Sequence, residues 1–380
     1  MRRAFLAGCL GLLGFEALAV YFIMPFPGSQ RIPSLAAAYL LYQWRWPVRA
    51  LCALTALAGL PDAWRHRSWR LGFVPALLLM VAASAYAVNG VLAADAQFKQ
   101  PTVVRMVPVA GNTVAMDRLV VGVEVNGEAR AYPLQFIGYH HQVRDAIAGR
   151  PILVSYCTVC RTGRVFSPVL DGAVESFRLV GMDQFNAMLE DATTGSWWRQ
   201  ANGEAVTGPR KGTRLEELPS RQVTLGRWLA LHPDSRIMQA DTIFLEEYAK
   251  DYAYERGTSR KQLTGTDTAS WREKSWVVGI TIGGASTAFD WNRLERERVI
   301  NATVGGTPIV LALASDSASF FAFERPDPAT LFALRGDSLV TDSSSFAFNG
   351  RGPSGALRAI NASQEFWHSW RTFQPATARY

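Results

Sequence analysis

Pro151-Ile-Leu-Val-Ser-Tyr-Cys157-Thr-Val-Cys160-Arg-Thr-Gly163-Arg-Val-Phe-Ser167 reads as a β-hairpin with two cysteines at its tip. The apolar run Ile152–Tyr156 enters a Cys-x-x-Cys turn, a glycine follows, and a second strand leaves. Such a turn can hold a metal ion or form a redox dithiol. A stretch 157 residues downstream repeats the surroundings without either cysteine. Val120-Val-Gly-Val-Glu-Val-Asn-Gly-Glu-Ala-Arg-Ala-Tyr132 aligns with Val277-Val-Gly-Ile-Thr-Ile-Gly-Gly-Ala-Ser-Thr-Ala-Phe289, and Gly149-Arg-Pro-Ile-Leu-Val with Gly306-Thr-Pro-Ile-Val-Leu. In this register Cys157 falls on Ala314, Cys160 on Ser317, His140 on Glu297 and His141 on Arg298. The period is too long for a solenoid, so two related copies are expected, and only the first keeps thiol and imidazole groups.

Outward from the hairpin, strand signals dominate. Leu119–Val125 and Glu128–Pro133 flank Asn126-Gly127, a strong hairpin signal, and Gly283-Gly284 stands at the same place downstream. Ile309–Leu313 resembles Ile152–Tyr156; Arg164–Leu170 and Val174–Val180 continue the meander around Asp171-Gly172. Short helices are expected at Asp183–Glu190, Leu225–Leu231, Phe244–Tyr252 and Gln364–Arg371. The expected fold class is α+β, mainly antiparallel β, with two related copies packed together after about three N-terminal transmembrane helices. The expected division is a membrane anchor (1–95), a first copy (96–240), a polar connector (241–273) and a second copy (274–380).

The net charge of +7 is unevenly spread. Residues 1–95 hold eight arginines, no lysine and three acids, for +5, and the remaining 285 residues carry only +2. The basicity therefore belongs to membrane flanks, and no basic, aromatic-interleaved strip suggests nucleic acid. Ala4–Met24 and Phe73–Ala94 are long enough to span a bilayer. Leu35–Leu60 is apolar but interrupted by Arg45, Pro47 and Arg49; it reads as a third span or as an interfacial helix. Three spans place Arg2 and Arg3 on the same side as Arg65, Arg67 and Arg70, which satisfies the positive-inside rule and sends the large C-terminal part to the extracytoplasmic side. The expected partner is the lipid bilayer. A removable signal peptide is not favoured, because the first span runs into Pro25-Phe-Pro-Gly. Glu16 is expected to face Arg45 or Arg49, since charge inside a bundle normally pairs.

Several motifs occur together: Gly-Glu-Ala-Arg-Ala-Tyr-Pro (127–133), His140 to Asp145, Gly-x-Pro with Val-Ser-Tyr-Cys-x-x-Cys (149–160), Ser196–Trp198, and Gly203-Glu-Ala-x-x-Gly-Pro-x-x-Gly-Thr-x-Leu (203–215). In this order they resemble the prokaryotic family catalogued as domain of unknown function 3179, over about residues 100–375. The resemblance implies no reaction. It implies that His140, Cys157 and Cys160 belong to a recurring pattern, although the family's frequent Cys-Pro-x-Cys-Gly turn is Cys157-Thr-Val-Cys160-Arg here.

Two thiolates need two further ligands for a tetrahedral ion. His140 and His141 precede Cys157 by 17 and 16 residues, and neighbours on an extended segment point to opposite faces. His140 is favoured as the third ligand by the family pattern; Met182, Met188 or His141 could be a fourth. Such a set suits copper or zinc, although methionines more commonly fill core gaps. Thiol–disulfide exchange is the alternative chemistry, with Arg161 and Arg164 supplying positive charge. A non-catalytic binding or scaffold domain with a structural disulfide or zinc is a third reading. Asp145 is read as a turn cap, Trp197-Trp198 with Arg199 as a cleft lining or core, and Glu204 and His232 as lesser polar candidates.

Overall fold

The computed structural model describes residues 2–380, which form two compact units. One contains the chain up to Lys99 together with Phe177–Arg199 and Ala205–Gly212; the other contains Gln100–Ser176, Gln200–Glu204 and Thr213–Tyr380. The chain is mixed α+β: a helical N-terminal region precedes many mostly antiparallel sheets.

In the first unit, α1 (Arg2–Ile23), α2 (Leu35–Gln43), α3 (Arg45–Arg65), α4 (Val74–Tyr86) and the short α5 (Ala94–Gln97) follow in order. Arg2–Ile23 and the continuous helical run Trp69–Val91, which contains α4, are long and apolar enough to cross a membrane. The apolar stretch Leu35–Leu60 is not one helix; it breaks at Trp44, between α2 and α3. Helix α3 lies antiparallel along α1. Gly8 faces Cys52 and Ala56, and one end further along Glu16 meets Arg49. A Cβ on Gly8 would overlap the α3 backbone, so glycine permits the close approach. Helix α4 runs parallel to α1, with Val74 and Leu77 clustered on Phe5, and Asn89 beside Glu16.

The same unit holds a four-stranded antiparallel sheet built from Phe177–Asp183, Asn186–Asp191, Trp197–Arg199 and Ala205–Thr207. The helix expected over Asp183–Glu190 is thus a hairpin. Gln184 and Phe185 turn the chain with φ of 49° and 64°, and every side chain from Asn186 to Asp191 is buried. Burial on both faces removes the alternation that marks a strand, so the apolar spacing looked helical.

The second unit contains two sets of elements in one order. In the first, Leu119–Val125 pairs with Glu128–Pro133, α6 (Leu134–His140) follows, and Gln142–Ile147, Arg150–Cys157 and Thr162–Ser167 form a meander. Ser220–Thr224 then adds antiparallel to Leu119–Val125, α7 (Leu225–Leu231) follows, and Arg236–Met238 adds parallel to Glu128–Pro133. In the second set Trp276–Ile282 pairs with Ala285–Asp290, then come α8 (Trp291–Glu297) and the meander Val299–Val304, Thr307–Leu313 and Phe320–Glu324. Ala362–Phe366 adds antiparallel, α9 (Trp367–Phe373) follows, and Ala378–Arg379 adds parallel. The expected helix Gln364–Arg371 therefore begins as a strand and turns helical at Trp367.

The likeness extends to local packing. His141 and Arg298 end α6 and α8 with φ of 60° and 63°. Trp228 of α7 lies on Gly122, and Trp370 of α9 lies on Gly279, each indole occupying the space a Cβ would take. Gln222 Nε2 donates to Gln364 Oε1 at 3.0 Å, joining corresponding strands of the two sets. The hairpin tip of each set rests on the strand–helix junction of the other: Phe366 N donates to Cys160 O, and Thr224 N to Ser319 Oγ.

The segment 241–273 contains one 3₁₀ turn, Thr242–Phe244, and otherwise turns and irregular chain, not the helix expected over Phe244–Tyr252. It is anchored by a buried ion pair, Arg118 Nη1 to Glu255 Oε1 at 2.6 Å, while Glu255 Oε2 accepts Leu119 N–H. Glu255 folds over the start of the Leu119 strand, so the segment packs on the first set rather than bridging solvent.

Candidate functional site

Cys157 ends one strand and pairs with Thr162, which begins the next, so Cys157–Thr162 is a hairpin tip, as its sequence predicts. Arg161 turns the chain with φ of 58°. The sulfurs of Cys157 and Cys160 lie 2.8 Å apart, and neither residue has accessible surface.

The carbonyls of Thr158, Val159 and Cys160 are each held by a segment distant in sequence. Tyr254 Oη donates to Thr158 O at 3.1 Å. Lys274 Nζ donates to Val159 O at 2.7 Å, and His368 Nε2 stands 3.1 Å from the same oxygen. Phe366 N donates to Cys160 O at 2.8 Å. Lys274 also donates to Leu263 O at 2.7 Å and lies 3.2 Å from His368 Nε2. The connector and the second set therefore form a cover over the dithiol turn.

One cation, Lys274, is coupled to the sulfurs. Burial pulls the Lys274 ammonium below its ordinary pKa, and negative charge on Cys160 and Cys157 opposes that fall. The same attraction works in reverse: the ammonium stabilises a thiolate. His368 is driven down to about 3 by burial and by the Lys274 charge, so its ring is neutral. Tyr156 Oη meets Tyr254 Oη at 3.1 Å, and burial pushes Tyr156 up to about 12. Arg161 is fully buried; it donates to Gln364 Oε1, Tyr254 O and Glu255 O, and its guanidinium lies 3.6 Å from the Trp276 ring centroid. Arg161 also lines a cavity of about 370 Å³ with Glu255, Trp276, Asp316 and Gln364. It is the side chain shared by the cysteine turn and that cavity.

Of the other expected site residues, His141 lies beside the turn, its carbonyl accepting from Tyr156 N at 2.9 Å, and the Met182 and Met188 candidates belong to the other unit. His140 is buried at the end of α6, ringed by Tyr139, Phe244 and Tyr248, with Nε2 2.8 Å from Tyr248 Oη. His141 Nδ1 stands 3.1 Å from Tyr139 O, and burial holds its ring down to about 4. Met182 and Met188 stand on strands of the first unit, where Met188 packs with Ala38 and Trp197. Asp145 accepts from Tyr132 Oη and Arg130. The indoles of Trp197 and Trp198 are buried and donate to Glu190 and Asp191, while Arg199 pairs with Asp183. Glu204 pairs with Arg214, and His232 stacks on Trp228.

A copper or zinc ion would need its donors at bonding distance. Two thiolates on one tetrahedral zinc, each about 2.3 Å from it, stand about 3.8 Å apart. The sulfurs here are closer, at 2.8 Å, and His140 Nε2 is turned to a tyrosine hydroxyl. Among the described residues no group of three or more His, Cys, Asp or Glu side chains is placed to hold an ion.

Lys274, His368 and Tyr254 were not foreseen from sequence. They lie 114, 208 and 94 residues beyond Cys160, in polar or helical stretches without a motif, and only the packing of the connector and the second set on the first brings them to the turn. No curated protein and no solved structure matches the chain. The family described as Protein of unknown function (DUF3179) matches residues 98–377, which include the dithiol turn and all the residues that cover it, and the chain belongs to that family.

Proposed function

We propose that the chain is a membrane-anchored thiol–disulfide protein whose Cys157 and Cys160 cycle between dithiol and disulfide. The observation that carries this reading is the 2.8 Å sulfur separation beside the half-buried Lys274 ammonium, which holds the turn at Val159 O. In the cycle one thiolate attacks a partner disulfide, forming a mixed disulfide and releasing one partner thiolate. The second thiolate then attacks the first cysteine's sulfur and releases the other. The net transfer is two electrons and two protons from protein to partner. Because both sulfurs are buried, exchange requires the cover of Tyr254, Lys274 and His368 to open, which makes the pair slow and selective. The two sets of elements are read as two copies of one fold, of which the first keeps the chemistry and the second supplies the cover.

The bilayer is the proposed partner of the N-terminal bundle, with three spans. Helix α3 lies along α1 over most of its length, so a bilayer that receives α1 receives α3 as well. Its half-buried cation is neutralised by Glu16, with Arg49 Nε to Oε1 at 2.6 Å and Nη2 to Oε2 at 2.8 Å. Three spans place the second unit on the extracytoplasmic side, where disulfides persist.

The test is a redox titration of the full-length protein in detergent. Samples are equilibrated in glutathione buffers of graded poise, acid-quenched, alkylated and weighed by mass spectrometry. Wild type should show one reversible two-thiol transition. Cys157→Ser and Cys160→Ser should each abolish it, leaving only the signals of Cys9, Cys52 and the single remaining site cysteine. Both site cysteines remaining alkylatable across the whole series would overturn the reading.

A further inference from the structure

A cavity of about 280 Å³ lies wholly within the first unit, where α1 and the α4 run end and α3 begins. Val20, Ile23, Leu41 and Leu92 give it apolar walls, and its charged lining is Arg45, Arg49, Arg178 and Asp95, of which Arg49 is paired with Glu16. Arg178 is neutralised by Glu190 at 2.8 Å and Asp95 at 3.0 Å. Arg45 has no acid partner among the described residues; it donates to Tyr42 O at 2.6 Å and lies 3.7 Å from the Tyr42 ring centroid. An uncompensated guanidinium beside a hydrocarbon wall suits an anion that carries a hydrocarbon chain. Trp44, Trp46 and Tyr86 are exposed at this same end of the bundle, as aromatic side chains are at a membrane–water boundary.

We propose that this cavity binds the phosphodiester head of an anionic membrane lipid. Arg45 engages the phosphate, for which a guanidinium fork is well shaped, and the acyl chain lies against Ile23, Leu41 and Leu92. The site rests on the bilayer placement of the helices proposed above and is independent of the redox reading.

The full-length protein is first checked for resistance to alkaline extraction from membranes, then reconstituted in nanodiscs of equal phosphatidylglycerol and phosphatidylcholine with identical chains. Retained lipid is counted by native mass spectrometry after release. Wild type should retain phosphatidylglycerol about tenfold over phosphatidylcholine. Arg45→Gln should abolish that preference, and Ala38→Phe, which fills the cavity, should lower retention of both lipids. Equal retention of the two by extraction-resistant wild type overturns the lipid site alone, as does an unchanged preference in Arg45→Gln. Displacement of the lipid by glycerol phosphate at equal concentration assigns the anion to solution and also overturns it. Extraction of the protein by alkali overturns the bilayer placement itself.

Discussion

His141 and His368 are buried imidazoles whose pKa values lie at about 4 and about 3, below the ordinary 6.5. His141 is depressed by burial and by neighbouring His140; His368 by burial, Lys274 and Arg371. As pH falls below 6.5, the unfolded chain takes up protons that the folded rings refuse. Stability is therefore lost progressively from pH 6.5 down to each folded pKa, on the order of 2–3 kcal/mol per ring by pH 4.5. Melting temperature should fall between pH 7 and 4.5 by differential scanning fluorimetry, and His368→Gln should flatten that slope. An equal slope in wild type and variant would show that His368 is not a contributor. Lys274→Met should slow oxidation of the dithiol several-fold at neutral pH by removing the cation that favours thiolate, measured by stopped alkylation.

At the scale of elements, Trp228 on Gly122 and Trp370 on Gly279 fix α7 and α9 to their sheets. Gly122→Ala and Gly279→Ala should each destabilise by about 1–3 kcal/mol, because a methyl must displace an indole packed against backbone. Urea unfolding would register the loss, and a stability equal to wild type would refute the contact. The strands Leu119–Val125 and Glu128–Pro133, the cysteine hairpin and the helix Leu225–Leu231 were legible because alternation, Asn-Gly and short apolar runs are local signals. Asn186–Asp191 was not, because a strand buried on both faces loses its period. The correspondence of α7 with α9 was hidden by a shorter spacing than that of the leading strands, leaving little but Trp228 and Pro233 against Trp370 and Pro375 to be read.

At the scale of the molecule, the Glu16–Arg49 pair is nearly buried in the helical unit, with carboxylate exposure of 3%. Glu16→Gln leaves a guanidinium without its anion and should cost about 3–5 kcal/mol, most of it recovered in the double variant with Arg49→Gln. Detergent-solubilised melting curves of the three proteins would measure this, and equal midpoints would remove the pair from the account. Val174 is exposed on the second unit. In the three-span reading, Val174→Cys in intact cells should react with a membrane-impermeant maleimide before lysis; labelling only after lysis would reverse the orientation.

The sequence alone determined the family, the strand-rich class, the dithiol turn and the pairing of Glu16 with an arginine, because each depends on local pattern or on a lone charge in an apolar helix that needs a partner. Tertiary structure decided what surrounds the thiols. It turned His140 toward Tyr248 and brought Lys274, His368 and Tyr254 to the turn carbonyls from positions distant along the chain. Those contacts exist only where the connector and the second set of strands pack on the first, and no spacing along a chain encodes which surfaces meet in that packing.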